Sequence, residues 1–140
     1  MTAPDAVLDN LEAACKALKA HEETFSWEWE DRMDAALSVY GSDDSAKVRG
    51  LLEEHFKAHW DSATLSSAPA NVQQFVKSLG GLRSGQELFT SDPSLDLVVA
   101  VALWPWGGGA KISIRLWFLS TNVSDEEKQT LQDRFRSWFQ

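Results

Sequence analysis

The sequence has little cysteine, proline or glycine, and each shortage excludes a class of protein. Cys15 is the single cysteine in 140 residues, which excludes an internal disulfide framework and a multi-cysteine zinc site. With 8 Gly, 4 Pro and 44% hydrophobic residues, the composition excludes a collagen-like repeat, a disordered tail and a low-complexity linker. The length suits one domain, and we expect residues 1–140 to fold as a single globular unit.

Long hydrophobic runs are also missing. No stretch reaches the roughly 18–20 consecutive apolar residues that a membrane-spanning helix requires. The first residues, Met1 to Asp5, contain neither a basic segment nor an apolar one, so no secretory signal is predicted. These two observations predict a soluble, cytoplasmic protein.

Basic residues are scarce in the first half of the chain. Residues 1–70 contain 14 Asp and Glu against 6 Lys and Arg, and the whole chain has a formal net charge of −8. Binding to duplex nucleic acid or to an anionic membrane is disfavoured, because both need a basic surface. The excess of acid keeps a small domain soluble, and it is also compatible with a basic protein partner.

The spacing of apolar residues predicts helices in the first half of the chain. Apolar positions three and four apart mark residues 4–20, 25–40, 44–61 and 71–79. Residues 25–29 also alternate as in a strand, but the helical stripe continues for three further turns and is preferred. One kinked helix over residues 5–40 is an alternative.

The spacing of apolar residues along the sequence changes after residue 81. Residues 86–90, 95–104 and 111–119 are rich in Leu, Val, Ile, Phe and Trp, and short turns join them, which requires antiparallel neighbours. A last helix begins at Ser124, with Glu127 completing a capping box. The predicted fold is α+β: three or four N-terminal helices packed on a three-stranded antiparallel meander, followed by a C-terminal helix.

Alternation along the last two strands predicts two different faces. One face carries bulky aliphatic side chains and is expected to pack beneath the helices. The other combines small residues with Trp104, Arg115 and Trp117, and Trp106 in the following turn extends it. Trp and Arg are enriched among interface hot spots, so we predict that these four residues contact a partner.

This face has an alternative interpretation, in which the chain itself covers it. The last helix or residues 62–70 could cover the face, in which case Arg115 would pair with a carboxylate such as Glu28 or Glu87.

Glu28, Glu30 and Asp31 form a second predicted contact surface on an acidic helix within the run 22–34, where Arg32 is the one basic residue.

No assembled catalytic, metal or cofactor motif is recognisable. His55 and His59 are four residues apart on the third predicted helix and could share a metal, but Phe56 stands where the metalloprotease pattern needs Glu. The glycines at 80–85 lack the Lys and Ser/Thr of a phosphate-binding loop. Cys15 lies on an apolar stripe and is expected to be a buried, inert thiol. The sequence therefore predicts no catalytic residue, no metal and no cofactor.

The function predicted from these patterns is a small, acidic, non-catalytic protein-interaction domain of the adaptor, inhibitor, immunity or chaperone kind. An alternative is a small-molecule binder or modest enzyme with a Trp-lined apolar pocket between sheet and helices, using His55, His59 or Arg115. Self-association through the sheet face or an edge strand, giving a homo-oligomer, is a third possibility.

Overall fold

A computed structural model describes residues 4–140; residues 1–3, which belong to the segment inspected for a secretory signal, lie outside the described residues. Within residues 4–140 there are six strands: β1 (Glu28–Glu30), β2 (Ala35–Gly41), β3 (Ala58–Asp61), β4 (Glu87–Thr90), β5 (Leu97–Trp106) and β6 (Lys111–Ser120). The same part of the chain contains four α-helices: α1 (Pro4–Lys19), α2 (Ser45–His55), α3 (Ala70–Ser78) and α4 (Asp125–Ser137).

The strands form one antiparallel sheet in the order β1-β2-β6-β5-β4-β3. The α+β class is therefore correct, but the predicted three-stranded meander is wrong. The predicted strands are present as β4, β5 and β6, and they form the middle of a wider sheet that β2 and β1 extend on one side and β3 on the other. The helices also alternate with strands along the chain, so they do not form an N-terminal group.

The predicted helix over residues 25–40 is wrong, because β1 and β2 form a hairpin there. The turn between them contains Asp34 in the left-handed region, at φ 51°. The apolar residues that suggested a helical stripe are shared between two strands, and Trp29 and Ala36 are directly paired across the hairpin. β2 also pairs with β6 over six residue pairs, a long-range partner that local spacing cannot reveal.

The predicted helix over residues 44–61 is correct only as far as His55. Phe56 is extended, at φ −131° and ψ 94°, and the chain continues into β3. The apolar residues that predicted one helix lie on opposite sides of the sheet. Leu52 and Phe56 belong to the core on one side, and Trp60 belongs to the core on the other. A single straight helix could not place these residues on both sides.

The remaining predicted helices are present. α3 ends at Ser78, and Gly80 and Gly81 follow it at positive φ, which glycine adopts without strain. The backbone N–H of Glu127 donates to Ser124 Oγ at 3.1 Å, which confirms the predicted N-cap of α4.

The sheet separates two hydrophobic cores. The first face, which includes Val99, Val101 and Ile114, packs against α1, α2 and α4. The second face, which includes Ala100, Ala102 and Trp117, packs against α3. Among residues 4–140, no helix combines the length and apolarity that crossing a bilayer requires.

Candidate functional site

α3 covers one half of the second face. Trp117 is 5% exposed, its ring centroid lies 5.1 Å from that of Phe75 on α3, and its indole N–H donates to the carbonyl of Met33 at 3.2 Å. Residues 62–70 contribute to this cover through Ala68 and Leu65, whereas the last helix belongs to the core on the other face. Trp117, one of the four predicted contact residues, is part of the core.

The other half of the second face is not covered in this way, and we call it the open patch. Strand register aligns Glu28, Leu37, Arg115 and Ala102 in one row and Val39, Ser113 and Trp104 in the next. Trp106 pairs with Lys111 one row further on. The open patch consists of Leu37, Val39, Trp104, Trp106, Ser113 and Arg115.

Trp106 lies across the open patch. Its indole Nε1 donates to Ser113 Oγ at 3.0 Å, which holds the ring toward the middle strand of the patch. Ser113 is the direct neighbour of Val39 in the sheet. Val39 is 44% exposed and Trp106 is 50% exposed, so two large apolar side chains meet solvent next to each other.

Arg115 lies in the neighbouring row of the open patch, and two contacts hold its guanidinium. Its Nε and Nη2 donate to the two carboxylate oxygens of Glu30 at 2.8 and 3.2 Å, and its guanidinium carbon lies 4.7 Å from the ring centroid of Trp104. A bidentate pair of this kind has a fixed geometry. The hydrogen bonds from Arg115 lower the pKa of Glu30 from its ordinary value. The partner of Arg115 is therefore Glu30, and not Glu28 or Glu87, which were the examples given for a covered face.

The predicted acidic helix around Glu28, Glu30 and Asp31 is an edge strand and the turn after it. β1 places Glu28 and Glu30 on the same face as Arg115, so the two surfaces predicted separately are one surface. Asp31 is highly exposed and lies 3.5 Å from Arg136 of α4. Leu37 and Val39 were missed by the sequence analysis, and residues 35–41 are too uniformly apolar to show an alternation that would have identified them.

The residues considered for metal or thiol chemistry lie apart. His55 ends α2 and His59 lies on β3, so the two imidazoles do not share a helix face. Within the described residues, no group of three or more His, Cys, Asp or Glu could hold a metal ion. Cys15 is fully buried, and burial raises the pKa of its thiol.

A cleft of about 460 Å³ is the feature nearest to the alternative Trp-lined pocket. Trp117, Phe75 and Met33 line it together with polar residues such as Asp34 and Asp96. His55, His59 and Arg115, the polar groups suggested for that pocket, do not line this cleft.

The chain matches no protein-family model, no curated protein and no solved structure.

Proposed function

We propose that this chain is a non-catalytic protein-interaction domain, of the adaptor, inhibitor, immunity or chaperone kind, which binds its partner through the open patch. The observation that carries this proposal is the adjacency of Val39 and Trp106 on one sheet face. Among the described residues, these are the large hydrophobic side chains that are exposed. Contiguous exposed apolar side chains mark interaction sites, whereas scattered ones are ordinary.

The organisation of the patch supports binding of a protein surface. Trp106, at 50% exposure, provides contact area, and a partner would not have to order the Arg115 guanidinium, because Glu30 and Trp104 already fix it. Preorganised aromatic and Arg side chains lose little conformational entropy on binding.

We propose a partner with a basic surface and an apolar anchor. Glu28 is exposed and borders the patch on the edge strand β1, Asp31 in the following turn is also exposed, and the chain carries a net charge of −8. Opposite charge on the partner would steer the encounter, so the association rate should fall as salt is added.

The experiment compares the wild-type chain with a Val39→Ser/Trp106→Ala variant. A partner captured from the native source is identified, purified and titrated calorimetrically against both proteins. We expect the variant to bind at least about 2 kcal/mol more weakly, roughly thirtyfold, since an anchoring Trp is lost. The matched control is Glu126→Ala/Gln129→Ala, which changes two exposed residues of α4 outside the patch.

Two outcomes contradict the proposal as stated. A partner that binds the patch variant and the wild type equally tightly does not use the patch. Dimerisation of the wild type in sedimentation, lost in the patch variant, would identify a second copy of the chain as the occupant.

A further inference from the structure

We propose a second site, independent of the open patch: the cleft of about 460 Å³ at the end of β6 binds a small neutral polyol, such as a monosaccharide or a cyclitol. Residues of α3, of α4 and of the turn between β1 and β2 line the cleft, and none of its lining residues belongs to the open patch. Its volume lies in the range of about 300–1,000 Å³ that is typical of small-ligand sites.

Gln132 of α4 is the observation that points to a ligand. Its side-chain Nε2 donates to the carbonyl of Phe118 at 2.7 Å, and this bond fixes the orientation of the amide, because an amide oxygen cannot donate to a carbonyl. The Oε1 of Gln132 is buried and has no hydrogen-bond partner among the described residues, although buried polar atoms are almost always paired. Since Gln132 lines the cleft, a donor that enters the cleft would complete the hydrogen bonding of this amide.

Ser120, the last residue of β6, supplies a second unpaired oxygen in the same place. Its Oγ is also buried without a partner in the described part of the chain, and the residue lines the same cleft. Side chains two residues apart on a strand share a face, and the ring of Phe118 packs against Phe135 of α4 at 5.7 Å between centroids. Ser120 therefore faces the helix that carries Gln132.

The unpaired atoms are neutral, which favours a neutral ligand. The amide oxygen of Gln132 only accepts, whereas the hydroxyl of Ser120 both donates and accepts. A hydroxyl group of a polyol can serve both, while a charged ligand would lose hydration that these groups do not replace. The charged lining residues Asp34, Asp96 and Lys128 are exposed and of both signs, so they do not select a charged ligand.

An aromatic wall favours a cyclic polyol over a linear one. Phe75 is half-buried, lines the cleft and packs edge-on against Trp117 at 5.1 Å between centroids. The C–H face of a monosaccharide or cyclitol ring is apolar, so burying it against these side chains contributes to binding. Apolar walls with a few convergent polar groups are the usual composition of a small-ligand site.

The experiment titrates the isotope-labelled full chain with glucose, galactose, mannose, ribose and myo-inositol. NMR follows the side-chain amide of Gln132 and the indole N–H of Trp117. Butylammonium and butyrate, titrated in parallel at constant ionic strength, test whether the cleft selects charge. We expect saturable shifts with at least one of the neutral probes and only linear shifts with the two charged ones.

Two variants and one control test the assignment. Ser120→Ala removes the hydroxyl and Gln132→Met removes the amide at similar length; each should weaken binding of the neutral probe about fivefold or more, followed on Trp117. Ser120→Ala should also leave the midpoint of urea unfolding unchanged, because the hydroxyl that it removes has no protein partner. The matched control is Gln129→Met, since Gln129 also donates through Nε2, to Asp133 at 3.0 Å, but does not line the cleft.

Several results would overturn the proposal. Linear shifts with every neutral probe would mean that the cleft holds only solvent, and saturable binding of a charged probe alone would indicate another ligand class. Unchanged binding in Ser120→Ala and Gln132→Met, or an equal loss in Gln129→Met, would place the probe elsewhere. A lower urea midpoint for Ser120→Ala would mean that its hydroxyl is bonded within the protein. The Val39→Ser/Trp106→Ala variant should bind the probe like the wild type, so this site and the open patch can fail separately.

Discussion

The second face of the sheet carries two neighbouring tryptophans that differ in solvent exposure. Their ring centroids are 5.9 Å apart, and both side chains point to the same side of the sheet. Trp117 lies under Phe75 of α3 and is 5% exposed, whereas Trp104 is part-buried and stacks on Arg115. The edge of the covered half therefore runs between these two rings.

The size of α3 limits how much of the second face it can cover. A helix of nine residues is about 14 Å long, whereas six strands about 4.8 Å apart span about 24 Å. One short helix therefore covers only part of the second face. The first face packs against three helices, one of which has 16 residues, and its core is correspondingly larger. Exposure of the open patch thus follows from an uneven distribution of helices between the two faces.

The largest expected effect is the loss of stability when the covered tryptophan is removed. Trp117→Ala should lower the free energy of unfolding by about 3–5 kcal/mol, because it leaves a cavity beneath α3 and frees the carbonyl of Met33. Trp106→Ala, in the open half, should change it by less than about 1 kcal/mol. Urea denaturation followed by far-UV circular dichroism measures both, and similar losses in the two variants would refute the distinction between the halves.

An intermediate effect is expected at the boundary between the halves. Arg115→Met leaves Glu30 without its bidentate partner and should cost about 1–3 kcal/mol, since both side chains are mostly shielded from solvent, at 16% and 22% exposure. Lys16→Met breaks a comparable but more exposed pair with Glu12 and should cost no more than about 0.5 kcal/mol.

The cost of Arg115→Met should also depend on pH. The pKa of Glu30 is lower in the folded state than its ordinary value of 4.5, chiefly because of hydrogen bonds from Arg115. The pair therefore contributes its full stability above about pH 4.5 and loses it as the pH falls through the folded pKa. The difference in unfolding free energy between wild type and variant should shrink on acidification, and a constant difference would contradict this origin.

Local sequence patterns were sufficient to predict part of the site. Alternation along residues 95–104 and along residues 111–119 placed Trp104 and Arg115 on one face, since side-chain direction in a strand is fixed by the backbone. The helical spacing of Val72 and Val76 likewise predicted α3. Which face α3 would cover depends on long-range packing, and no local pattern contains that information.

The remainder of the patch depends on pairing between distant segments. Glu30 and Arg115 are 85 positions apart, and they meet only because β2 lies between β1 and β6. The prediction of a helix over residues 25–40 removed β2, and with it Leu37 and Val39. An apolar spacing that fits a helix also fits two short strands joined by a tight turn, and the tertiary partner decides between them.

The smallest expected effect compares one chemical change in the two halves. Val39 is 44% exposed and Val98, on the same face beside Trp117 and Phe75, is 1% exposed. Val→Thr keeps the shape and adds a hydroxyl, which water can solvate only at the open position. Val39→Thr should therefore change the unfolding free energy by less than about 0.5 kcal/mol, and Val98→Thr should lower it by about 1–3 kcal/mol. If Val39→Thr were as costly as Val98→Thr in the same denaturation assay, the open patch would be covered in solution and could not bind a partner.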